Sequence, residues 1–182
     1  MVLLACKKEN ETNTETPAYK IAASEKLVIP AAIDLPANLP NGNSRLATYY
    51  AEGVQKYKAQ LKAGSTTEYE WVFVAPEANL YNASNAKVGT HGTGPYWTIT
   101  ASDSIFAQHY TPQKTAMPDA SSIAWLQLMP KEGKTASGIF LNVIYIQRLA
   151  TTGGKAPATA PQSLSDTANV FYTAIYRFSK KN

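Results

Sequence analysis

Cysteine, arginine and long apolar runs are all scarce in this chain. Its 182 residues include one cysteine, Cys6, and three arginines, and nowhere do 18 apolar residues follow one another. The missing apolar run excludes a membrane-spanning helix. A lone cysteine excludes both a disulfide framework and a thiolate metal site within the chain. Charged residues make up only 16% of the total, and the 17 basic ones, which give a formal charge of +4, are scattered along the sequence. Nucleic-acid binders gather such charge on one element, so no nucleic-acid partner is expected. The 10 glycines and 11 prolines are an ordinary share, which excludes collagen-like and globally disordered classes. There is no strand–GxGxxG–helix unit and no GxSxG elbow, and the only two histidines, His91 and His109, stand too far apart for a short zinc motif. No cofactor and no metal are therefore expected.

What is present is apolar residues at period two. Runs at 69–74, 123–128, 139–148 and 170–178 are rich in β-branched and aromatic side chains, with shorter ones at 46–50, 54–61, 87–90, 96–100 and 104–109. Turn signals separate them, such as Pro40-Asn41-Gly42, Ala63-Gly64-Ser65, His91-Gly92-Thr93-Gly94-Pro95 and Gly153-Gly154. Eight or nine short strands without a long amphipathic helix predict an all-β, single-domain antiparallel β-sandwich or barrel-like fold with long loops. Stretches 19–32 and 166–170 have room for a helical turn each, and 151–165 reads as a long surface loop.

The chain opens Met1-Val2-Leu3-Leu4-Ala5-Cys6. Two leucines and an alanine before a cysteine resemble the lipobox of bacterial lipoproteins, whose thiol is acylated after cleavage. Only five residues precede Cys6, fewer than a complete secretory signal holds. The polar stretch that follows, KKENETNTET, cannot offset its ordering entropy. This pattern predicts a signal-peptide remnant at 1–5, a disordered tether at 6–24 after lipidated Cys6, and one β domain at 25–182. A coil of about 20 residues reaches roughly 25 Å. The expected location is the bacterial cell envelope, with the membrane as partner through the lipid anchor.

Three segments occur in order: Trp71-Val72-Phe73-Val74-Ala75-Pro76-Glu77-Ala78-Asn79-Leu80, then Gly89-Thr90-His91-Gly92-Thr93-Gly94-Pro95-Tyr96-Trp97, then Tyr145-Ile146-Gln147-Arg148 followed by Thr152-Gly153-Gly154-Lys155-Ala156-Pro157. Together they resemble the domain-of-unknown-function family 3455 of bacterial and fungal secreted proteins. Leu35-Pro36, Gly53-Val54-Gln55 and Trp125-Leu126 fit the same order, so the resemblance covers roughly residues 35–178. Family members often carry a cysteine after the GVQ strand and another after the GGKAP loop, a pairing the resemblance implies. Ala59 and Ala160 stand in those neighbourhoods here. The resemblance implies a secreted address and a fold, and no activity.

Candidate site residues come from the same segments. Glycines around His91 permit close approach of a ligand, and His91 beside Tyr96 and Trp97 can act as hydrogen-bond partner next to stacking rings. The same residues equally make a hairpin bend with Trp97 in the core. Arg148 can clamp a carboxylate or phosphate, or pair with Glu77. The expectation is a binding module for a glycan, a cell-envelope polymer or a protein, with a site built from His91, Tyr96, Trp97, Arg148 and Glu77 in one cleft. The alternatives are a small acid/base hydrolase using Glu77 and His91, or a purely structural envelope protein.

Overall fold

The computed structural model describes residues 16–35 and 42–182. The expected signal remnant, the expected lipidation site Cys6 and most of the expected tether lie outside these residues, as does most of the expected Pro40-Asn41-Gly42 turn. Eight antiparallel strands follow one another: β1 (Asn43–Leu61), β2 (Tyr69–Tyr81), β3 (Lys87–Gly92), β4 (Tyr96–Thr100), β5 (Asp103–Ala116), β6 (Trp125–Pro130), β7 (Tyr145–Gly153) and β8 (Thr167–Lys181). Each pairs with the next, and β1 pairs back onto β8, so the sheet closes into an up-and-down barrel. The barrel is thus the one of the two expected architectures that forms. Alternation sends Tyr49 and Ala51 of β1, Leu80 of β2, Trp97 of β4, Ile105 of β5, Leu128 of β6, Ile146 of β7 and Tyr172, Ala174, Tyr176 and Phe178 of β8 into one interior core. Gly53 is needed where β1 meets β2, because a Cβ there would lie 2.0 Å from the Glu77 carbonyl oxygen.

Two expectations are corrected. The run at 139–148 is not one strand: Gly138–Phe140 forms a 3-10 turn and β7 begins only at Tyr145. The cause is Gly138, whose φ of 58° breaks the extended chain and turns Phe140 into the barrel. Residues 166–170 extend β8 instead of forming a helical turn, since Ala59 N–H binds the Asp166 carbonyl and Thr167 already pairs with Lys58. The helical turn expected within 19–32 does form: Pro17–Ser24 is a helix, α1, with Thr16 as N-cap and Pro17 opening its first turn. Its Ile21 packs on Tyr50 and Ile175 of the outer wall, and the chain beyond it is tied down where Gln147 Nε2 donates to the Ile33 carbonyl at 2.8 Å and Arg177 donates to that of Ser24 at 2.6 Å.

The two ends of the barrel differ. At one end Phe140 plugs the opening, its ring 4.7 Å from that of Phe178, with Tyr49 and Trp97 closing around Phe178. Asp103 holds the plug by accepting from Ile139 N–H at 2.9 Å and from the Thr100 hydroxyl. These bonds, led by that from Thr100, lower the Asp103 carboxyl below its ordinary value. Toward the other end the wall is incomplete. β3 and β4 have 6 and 5 residues against 13 and 14 for β2 and β5. β2 pairs with β3 only from Ala78 onward, and β5 pairs with β4 only up to Phe106. The first part of β2 and the last part of β5 therefore flank a lateral window above the Thr93-Gly94-Pro95 turn.

Candidate functional site

The window leads into a cavity of about 160 Å³ lined on its polar side by His91, His109, Arg148 and Tyr176 and otherwise by Trp97 and residues such as Phe73, Pro76 and Leu126. His91 reaches it because β3 pairs His91 with Ala78 on one side and Trp97 on the other, all three pointing inward. The imidazole stacks on the Trp97 indole at 4.5 Å with an interplanar angle of 11°, and Tyr176 lies 4.9 Å away. His91 Nδ1 is 2.8 Å from the Tyr96 carbonyl oxygen. A carbonyl only accepts, so Nδ1 carries the hydrogen and Nε2 is left with its lone pair. Burial lowers the His91 pKa from 6.5 to about 3, and the charge of Arg148 pushes in the same direction, so the ring is neutral near pH 7.

Arg148 lies opposite Leu126 of β6 and Tyr176 of β8. Its Nε and Nη2 both donate to the Ala124 carbonyl, at 3.0 and 2.8 Å. One side of the guanidinium is thereby fixed, and the remaining N–H groups have only the Tyr176 hydroxyl as a weak partner. Among the described residues no carboxylate pairs with Arg148, whereas Arg45 and Arg177 both pair with Glu25. His109, at the rim, has its pKa lowered by desolvation and then by Arg148. Burial raises the Tyr176 hydroxyl, with Arg148 opposing. The hydroxyls of Tyr172 and Tyr176, the Gln55 amide nitrogen and the Trp97 indole nitrogen make no hydrogen bond of good geometry within the protein, although Tyr172 has Gln55 and Tyr176 as weak partners and Tyr176 has Arg148. All four can donate, and a buried polar group left unpaired costs about 1–3 kcal/mol.

The structure brings His91, Trp97 and Arg148 together and sets Glu77 and Tyr96 apart. Glu77 follows Pro76 and precedes the inward Ala78, so it leaves the outer face of β2, where it pairs with Lys56. Tyr96, beside inward Trp97, likewise points outward, its ring 5.5 Å from that of Phe106. Both border an outer depression of about 570 Å³ with Glu52, Lys56 and Thr90, which meets the window cavity at Pro76, His91 and Thr93. Trp97 and Arg148 do not border that depression, so the five residues do not line a single cleft, and alternation along the strands sends the Glu77 and His91 side chains to opposite faces of the wall. Arg148 pairs with neither Glu77 nor another acid among the described residues. The sequence reading left out Tyr176 and His109. The alternation Tyr172, Ala174, Tyr176, Phe178 was a signal for Tyr176, since period two puts all four on one face. Among the described residues no three of His, Cys, Asp or Glu are placed to hold a metal ion.

Residues 40–180 match the sequence profile of a family described as a protein of unknown function, DUF3455. No curated protein and no solved structure matches the chain.

Proposed function

Because the chain belongs to the DUF3455 family, whose description assigns no activity, we propose a function from the site itself: a binding module that takes a small anionic ligand through the window, with Arg148 holding the anion. The observation that carries this reading is the half-buried guanidinium that faces a cavity with no acid beside it among the described residues. A cation taken partly out of water without a counter-charge is unfavourable, and a bound carboxylate or phosphate supplies that charge through two parallel N–H···O bonds. Tyr176 adds a donor to the same space. The reading favours binding over catalysis, since His91 is neutral and Glu77 is outside. It also narrows the expected glycan, polymer or protein ligand to an acidic group small enough for the cavity. Lipidation at Cys6 and a place at the cell-envelope membrane belong to the same proposal and rest on Leu3-Leu4-Ala5-Cys6.

Isothermal titration with acetate, benzoate and inorganic phosphate tests it. At least one should bind saturably, and Arg148→Met should weaken that binding about tenfold or more, the loss expected of a charge-assisted bidentate pair. The variant takes both side-chain donors from the Ala124 carbonyl, so its thermal midpoint should fall by a few degrees while the domain stays folded at the titration temperature. Equal binding by the variant would overturn the reading.

A further inference from the structure

We propose that the ligand is a monocarboxylate built on one ring-sized apolar body that also carries a hydroxyl, the carboxylate on Arg148 and the hydroxyl donating to His91 Nε2. The inference rests on the anion-binding reading and names the class of ligand for that site. Size limits the body, since a cavity of about 150 Å³ holds one benzene, and this one measures about 160 Å³. A fatty acyl chain would leave most of its length outside the window, and a whole sugar would set its hydroxyls against Phe73, Val74, Pro76, Leu126 and Leu128. The charge requirement is single: Arg148 offers the one edge that the Ala124 carbonyl does not occupy, which matches one carboxylate, and the second charge of a phosphate would find no second cation on the cavity wall.

The hydroxyl follows from the tautomer. His91 spends its only hydrogen on the Tyr96 carbonyl, so what it presents is an acceptor, and among the described residues nothing donates to Nε2. A bare carboxylate placed there would set lone pair against lone pair. A hydroxyl turns the contact into a hydrogen bond. The Trp97 indole stacked on His91 keeps the ring plane fixed for that contact. Donor from the ligand at His91, donor from the protein at Arg148 and Tyr176, and apolar walls between them together describe a hydroxylated ring carboxylate.

The probes are benzoate, its three monohydroxylated isomers and inorganic phosphate, titrated calorimetrically into the folded protein. At least one hydroxybenzoate should bind about five- to tenfold more tightly than benzoate, the gain of one hydrogen bond to a buried acceptor, and phosphate should bind more weakly than benzoate. The wild-type protein also carries a readout that needs no variant. Labelled with ¹⁵N at histidine, its His91 Nε2 signal should move on adding the tight hydroxybenzoate and stay with benzoate, and His91→Phe should abolish the preference between the two. If all hydroxybenzoates bind no better than benzoate, or the Nε2 signal ignores the hydroxyl, the inference is overturned. Phosphate binding more tightly than every carboxylate overturns it while leaving anion binding at Arg148 in place. Failure of every anion to bind overturns both.

Discussion

The plugged end of the barrel and the windowed side are built from the same strands by opposite choices. At the plug, apolar rings meet one another, and the polar group nearby, Asp103, has its hydrogen bonds made by Ile139 and Thr100. At the window, Arg148 has no carboxylate beside it among the described residues, the Tyr176 hydroxyl is only weakly held, and the wall stops short because β3 and β4 are short. One region is satisfied by its own residues, and the other leaves polar groups that the proposed ligand would satisfy. The contrast teaches where stability and function reside in this molecule, and it can be broken from either side.

The largest effect is expected at the plug. Phe140→Ala empties a fully buried ring site against Phe178 and should cost about 3–5 kcal/mol in urea unfolding, while anion affinity of the folded fraction stays unchanged. A loss of affinity matching the loss of stability would show that the two regions are one unit.

A pH titration acts from the window side. The His91 pKa is about 3 in the fold and 6.5 when unfolded. Between those values the unfolded chain binds a proton that the folded one refuses, so stability falls as pH drops from about 6.5 toward 3. The slope approaches about 1.4 kcal/mol per pH unit. Denaturation midpoints between pH 6.5 and 5, above the range where most carboxylates titrate, should decline for the wild type and flatten in His91→Phe. The residual slope of that variant reports His109, which shifts in the same direction. An equally steep decline in the variant would show that His91 is not held neutral by burial.

The smallest effect should come from Gly138→Ala, about 1–3 kcal/mol. Its φ is 58° and a Cβ would sit 1.8 Å from Asp103 Oδ1, so the capping bond to Ile139 must lengthen. Melting curves of the single variant and of its double with Asp103→Ala separate strain from contact. A loss that vanishes in the double assigns the cost to the clash.

Most of the sheet was legible because period two survives in the sequence wherever one face meets the core. The runs at 69–74, 96–100 and 170–178 all fall within strands. The run at 139–148 misled because apolar composition records burial and not direction: Phe140 and Val143 are buried as a plug, Ile146 as part of a wall. The site was half legible for a related reason. Motif proximity placed Glu77 and Tyr96 near His91, but adjacent strand residues face opposite sides, and which parity is inward depends on closure of the barrel. Arg148 and Trp97 happen to share the parity of His91. The scarcity of arginine drew attention to Arg148, and only the structure could show that Glu25 serves the other two.

The border of the window carries a property unrelated to what fits inside it. Where β2 and β5 part company their backbones have free edges, and a free edge invites another extended chain to add itself. Pro76 stands on the β2 border, Pro95 ends the turn below, and Pro112 lies in β5 where its register with β6 shifts between His109 and Lys114. None of the three offers an N–H. The gap is therefore a poor template for a third strand, which hinders neighbouring copies of the chain from stitching their sheets together.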